Sequence, residues 1–282
     1  MRRGRARVPA AVLLIAPSLV VMTALFAWPL VVGVGQAFSG PDGPTLAYAR
    51  RMLDDPYFWP AVRNTALLVV VLIPIQFAFA LTMALLLRER PRFAGAHFYV
   101  WVVPLAISDL AAGLVWLSVF ADRGYLNSVL EHVGAGGYAW LSYENTTTMF
   151  LAVVVAELWR STSLVLVIVV AGLQGVPKDY DEAASVFGAT YWQRLRHVVL
   201  PQLRPSLQVA LILRTILALE TFAVAQALTG RSLPLLVGET YQWYNVLQNP
   251  NVATAIALVV LAVSMLAAVG YLRLLRDRTV TR

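Results

Sequence analysis

The chain has 282 residues, 59% hydrophobic and 13% charged, with a formal net charge of +7 and a mean hydropathy of +0.70. A soluble domain averages about 45–50% apolar and about 25% charged residues, so an ordinary water-soluble enzyme, a disordered chain and a disulfide-stapled scaffold are excluded. Cysteine is absent, which removes thiol catalysis, cysteine-ligated zinc and disulfide bonds.

The basic residues are 21 Arg and the single Lys178. They sit in short clusters between long apolar runs, not on one solvated face, so the expected partner is a lipid bilayer and not nucleic acid.

A bilayer crossing needs about 20 apolar residues. Six stretches satisfy this, over 9–38, 62–87, 98–121, 147–173, 206–229 and 252–275. They predict an all-α integral membrane protein with six transmembrane helices. The first follows Arg2, Arg3, Arg5 and Arg7 but runs about twice the 7–15 apolar residues of a signal peptide, so it reads as an uncleaved span.

Basic residues are strongly asymmetric. The two termini and the loops near 88–97 and 174–205 hold fifteen: Arg2, Arg3, Arg5, Arg7, Arg88, Arg90, Arg92, Lys178, Arg194, Arg196, Arg204, Arg273, Arg276, Arg278 and Arg282. The alternate loops hold five: Arg50, Arg51, Arg63, Arg123 and Arg231. Positive charge collects on the cytoplasmic side, so both termini are expected there. Between the first two spans, Tyr57, Phe58 and Trp59 suit the headgroup layer, with a ligand-stacking role as the alternative.

The loop over 174–205 carries the most information. Pro177 suits a first helical turn, and Asp179, Asp181 and Glu182 suit the positive end of a helix. Tyr180, Ala183, Ala184 and Phe187 then fall on one stripe. Gly188 supplies the stop. Thr190 and Gln193 have capping-box spacing for a second helix, which is expected to end before Pro201. A helix pair with small residues at its centre is a docking surface for another protein, or else an amphipathic hairpin on lipid headgroups.

Glu182-Ala183-Ala184, Gly188 after three intervening residues, and Val198-x-Leu200-Pro201 before the fifth span resemble the EAA motif of ABC-importer permeases. The resemblance implies a type I ABC-importer transmembrane domain with its five-span core over 62–275. Residues 1–61 then form the basic N-terminus, first span and outer loop, and 276–282 a cytoplasmic tail.

The same resemblance implies that Glu182, Ala183, Ala184, Gly188, Leu200 and Pro201 belong to the coupling loop, which docks on an ATPase subunit. It further implies a second homologous permease, two ATPase subunits, an extracytoplasmic substrate-binding protein and a bacterial inner-membrane location. ATP and Mg would sit on the ATPase, with no cofactor or catalytic site on this chain.

Trp159-Arg160, Ala171-Gly172-Leu173-Gln174 and Leu228-Thr229-Gly230 are similar to the carbohydrate-importer branch. The chain departs from that branch at Phe187, where Asp is usual. It departs again at Arg231-Ser232-Leu233-Pro234, where a glycine-rich stretch is usual.

Ionisable residues at membrane depth mark a pathway or a paired lock. At about 1.5 Å per residue, Asp109 lies roughly 16 Å above the inner end of the third span. By the same rise, Glu157 lies roughly 15 Å below the outer end of the fourth and Glu220 roughly 21 Å above the inner end of the fifth. All three fall near the midplane, where transporters bind substrate.

Two roles stay open for these acids. In one they hydrogen-bond substrate hydroxyls beside Trp116, Trp159 and Phe222, with Glu157→Ala abolishing uptake while the complex still assembles. In the other, Glu157 with Arg160, and Arg214 with Glu220, lock helices together; Arg214 suits a structural or coupling role.

No phosphate loop, nucleophile elbow or metal-ligand spacing occurs in the sequence. Two alternatives accompany the sugar permease: one importing a cationic solute such as a polyamine or betaine, and a membrane enzyme on lipid-linked sugar with Asp109 and Glu157 as acid and base.

Overall fold

The structure is a computed structural model that describes residues 10–41, 43–89 and 91–274. Pro9, Leu275, the tail over 276–282 and Arg2, Arg3, Arg5, Arg7, Arg90, Arg276, Arg278 and Arg282 lie outside the described residues. The chain divides into two compact units, residues 1–55 with 240–258, and residues 56–239 with 259–282.

In the smaller unit α1 (Ala10–Met22) continues through a π-helical turn into α2 (Trp28–Phe38). A short antiparallel pair, β1 (Ser39–Gly40) and β2 (Gly43–Pro44), leads into α3 (Ala47–Leu53). Trp243 Nε1 donates to Asp55 Oδ2 at 2.7 Å, and the Arg51 guanidinium lies 5.3 Å from the centroid of the same indole.

The larger unit is built on α4 (Phe58–Arg88), α5 (Ala94–Val102), α6 (Asp109–Phe120), α7 (Tyr125–His132) and α8 (Thr146–Gln174). There follow α9 (Lys178–Val186), α10 (Tyr191–Arg194), α11 (Leu200–Leu219) and α12 (Ala223–Thr229). Two further helices, α13 (Leu236–Tyr241) and α14 (Pro250–Leu274), complete the chain order. The N-terminus of α8 is capped by Asn145, whose side chain accepts from Thr148 N, and that of α6 by Ser108, which accepts from Ala111 N.

Among the described residues four helices are long and apolar enough to cross a bilayer, Leu14–Phe38, Phe58–Arg88, Thr146–Gln174 and Pro250–Arg273. The expected third and fifth spans are broken. Ala94–Ala106 meets Asp109–His132 at 104°, and Tyr191–Leu219 meets Ala223–Thr229 at 41°. Counting each bent pair as one gives six.

The third span breaks where Pro104 opens a short 3-10 turn and Ser108 caps a new helix. Beyond the breaks, α6 and α12 meet where residue 113 is glycine; a Cβ there would lie 2.7 Å from the Ala227 Cβ.

Among the described residues, two apolar clusters pack inside the larger unit. Leu68, Leu72, Ala152, Val153, Ala156 and Ala218 belong to one, and Ala80, Val165, Leu166, Val169 and Leu203 to the other. Phe58 belongs to the interior, not to a headgroup belt, whereas Trp59 is exposed. Between the clusters along α4, α8 and α11 lie Gln76, Glu157, Ser161 and Arg214, a polar layer inside the bundle.

Candidate functional site

The polar layer is a continuous network. Arg214 Nη2 donates to Glu157 Oε2 at 3.0 Å and Arg214 Nε to Gln76 Oε1 at 2.7 Å. Gln76 Nε2 donates to Ser161 Oγ at 3.1 Å, and the Ser161 hydroxyl reaches Glu157 Oε2 at 3.0 Å. Arg160 then links this interior to the break in the third span: its Nη2 is 4.0 Å from Glu157 Oε2, and its Nη1 is 2.7 Å from Asp109 Oδ1.

Exposure falls steeply along this chain of charges. The Asp109 side chain is 54% exposed and that of Arg160 17%, while Glu157 and Arg214 are 2% and 1% exposed. Glu157 is therefore enclosed within the subunit and bridges α8 to α11. Arg214 pairs with Glu157 and Gln76, and not with Glu220.

Glu220 follows the last residue of α11 at the break, exposed and without an ion pair or side-chain hydrogen bond among the described residues. Phe222 precedes the first residue of α12 beside it. Both acids flanking the breaks, Asp109 and Glu220, thus sit at helix ends and not on the faces of unbroken helices.

Trp116 and Trp159 meet edge to face with centroids 6.0 Å apart, and Trp116 stacks on Phe120 at 5.4 Å. The Trp116 Nε1 and Arg160 Nε donors are buried without an acceptor among the described residues. Trp159 also borders an apolar cleft of about 260 Å³ with Phe79, Met83, Trp101, Thr162 and Ser163. Two pairs are therefore formed, Asp109 with Arg160 and Trp116 with Trp159, with Glu157 behind Arg160 and Glu220 and Phe222 at the second break.

Sequence reasoning missed Gln76, which is completely buried and accepts from Arg214 while donating to α8. The available signal was one amide in the apolar run from Leu67 to Leu87, since a polar group at that depth needs partners.

At the end of the bundle carrying Arg88 and Gln174, α9 and α10 form the expected helix pair. Gly188 between them takes φ +81°, and the Thr190–Gln193 capping box is formed. Glu182, Ala183 and Phe187 are exposed, Phe187 to 90%, and Val186 and Trp192 stand beside them.

The second helix does not end before Pro201. It runs from Tyr191 through a π-helical turn at Leu195–Val199 into α11, with Leu200 and Pro201 in its first turn. A wider turn accommodates the missing proline N–H and the bulk of the ring. Leu200 packs on the adjacent apolar cluster, so it roots the loop in the bundle.

The family model of binding-protein-dependent transport system inner membrane components matches residues 76–280. The sulfoquinovosyl glycerol transport permease SmoG of Agrobacterium fabrum is 31% identical over 95% of this chain and 91% of its own. The trehalose/maltose transport permease MalF of Thermococcus litoralis is 30% identical over 81% of this chain and 78% of its own. The fold is shared with a bacterial alginate ABC transporter solved with an alginate pentasaccharide-bound periplasmic protein (TM-score 0.82, 20% identity, 95% of this chain and 96% of that one). With a family match over most of its length and a relative at that identity, this multi-pass membrane chain belongs to the inner-membrane permease components of binding-protein-dependent transport systems.

Proposed function

We propose that the chain is the non-catalytic permease subunit of an ATP-driven importer for a sugar or oligosaccharide, moving its cargo by alternating access. Ion pairing beside the third-span break carries the choice of cargo. Asp109 is matched by Arg160 and Glu157 by Arg214, so that network offers no net charge to a cation, and of the three acids near the midplane Glu220 alone lacks an ion pair among the described residues. What the group offers beside the break is an ion pair and indole faces, suited to hydroxyl edges and the apolar face of a pyranose. The relatives named for sulfoquinovosyl glycerol, trehalose and maltose point the same way.

The exposed α9–α10 surface is the proposed docking site for an ATPase subunit, with ATP and Mg held by that partner. A second homologous permease, two ATPase subunits and an external binding protein complete the assembly, and the alginate importer's periplasmic partner supports the last of these. The excess of Arg in the terminal segments and the 174–205 loop supports both termini being cytoplasmic.

The test is ATPase activity of the reconstituted importer with its binding protein across saccharides, polyols, polyamines and betaines. Stimulation by one saccharide is expected; stimulation by a polyamine would transfer the cargo role to Glu220 and overturn the sugar. In parallel, Gly188→Val forces a β-branched residue to φ +81° with open space around it, so about 1–2 kcal/mol of backbone strain acts alone. Loss of saccharide-stimulated ATPase is expected in that variant.

A further inference from the structure

Asp181 differs from its acidic neighbours on α9. Asp179 and Glu182 are exposed and make no ion pair among the described residues. Asp181 instead turns towards the bundle, with Oδ2 3.7 Å from Arg88 Nη2 and Oδ1 3.4 Å from Arg194 Nη1. One carboxylate thus touches the last residue of α4 and the last residue of α10, which runs on without a stop into α11. These are the two helices that bring Gln76 and Arg214 to the buried network.

The covalent links of α9 to the bundle are weak levers. At one end Gly175 and Pro177 flank Val176, which packs in the apolar cluster and so anchors only the start of α9, and at the other Gly188 lies in the left-handed region. We infer that Asp181 is a positioning residue that clamps α9 to α4 and to the α10–α11 helix, so that a push on the exposed face of α9 moves both helices together. The inference rests on the coupling role proposed above for that face. Both contacts exceed hydrogen-bond length, and partly exposed pairs add little to stability. The clamp therefore shows itself in coupling and not in melting temperature.

The experiment uses the complete importer in liposomes, with radiolabelled trehalose or the saccharide selected by the panel above as probe. Three quantities are read: uptake per ATP hydrolysed, ATPase retained on purification, and melting temperature. Asp181→Asn is expected to retain the ATPase and the melting temperature while uptake per ATP falls about fivefold or more, the scale of a modest coupling free energy.

Because the chain has no cysteine, Arg88→Cys with Asp181→Cys can be joined by a reducible bis-methanethiosulfonate linker. Linking is expected to restore uptake per ATP, and reduction to remove it again. Wild-type coupling in Asp181→Asn, or no recovery on linking, overturns the clamp. Loss of the ATPase from Asp181→Asn also overturns it, since Asp181 would then face the partner. Phe187→Glu separates the two levels: an ATPase that stays bound with full uptake in that variant overturns the docking role of α9, and this inference with it.

Discussion

At the residue scale the decisive pair is Arg214 and Glu157, in contact at 3.0 Å and almost completely enclosed. Removing one partner of a buried ion pair leaves an uncompensated charge at a cost of about 3–5 kcal/mol. Glu157→Ala should therefore lower the melting temperature of the detergent-solubilised chain, and uptake should fall with the amount of folded protein. Glu157→Gln, which keeps an acceptor for Arg214 and Ser161, should lose less. An alanine variant that melts like wild type yet transports nothing would return the carboxylate to the substrate path. Asp109 behaves differently: its exposed side chain holds Arg160 from outside the enclosed layer, so Asp109→Asn should cost under about 1 kcal/mol of stability and register in apparent substrate affinity. Sequence spacing identified the acids and depth identified their cost, but the actual pairing runs through Gln76 and Arg214, residues 81 and 57 positions from Glu157. No local pattern reports a contact at such separations.

At the element scale, helices cross where small residues permit it. A Cβ at position 172 of α8 would stand 2.5 Å from Ser206 Oγ and 2.6 Å from Ser206 Cβ on α11. Gly172→Val should separate these helices at a cost of about 1–3 kcal/mol, seen as reduced yield and melting temperature. Ser206→Gly in the same chain should recover much of the loss, and failure to recover would mean the valine acts elsewhere. The loop helices were legible because their signals are local: the glycine stop, the capping box and the apolar stripe all act within a few residues. The bends were not. A hydropathy pattern is the same for a straight span and for two half-helices meeting at 104°, and the bend depends on what α6 and α12 find to pack against, here each other around Gly113 and Ala227.

For the whole molecule, the membrane sets the gross arrangement. Apolar length decides which segments cross, and clustered Arg decides which way they face. The absence of cysteine makes orientation directly readable: Ser185→Cys, on exposed α9, should react with a membrane-impermeant maleimide only when the cytoplasmic face is open to the reagent. Labelling from outside in sealed cells would invert the topology and detach α9 from any role with a cytoplasmic ATPase.

The sequence by itself determined the membrane class, the span count to within the broken helices, the helix pair around Gly188 and the family. Each is written in composition, in apolar runs or in contiguous motifs, and the forces behind them act along the chain. Only the tertiary structure decided which charges pair, that Glu157 is enclosed while Asp109 is not, and that Asp181 faces Arg88 and Arg194 when its neighbours face outward. A buried charge must find its complement wherever the fold brings one, and that partner is a property of three-dimensional proximity that no stretch of neighbouring residues contains.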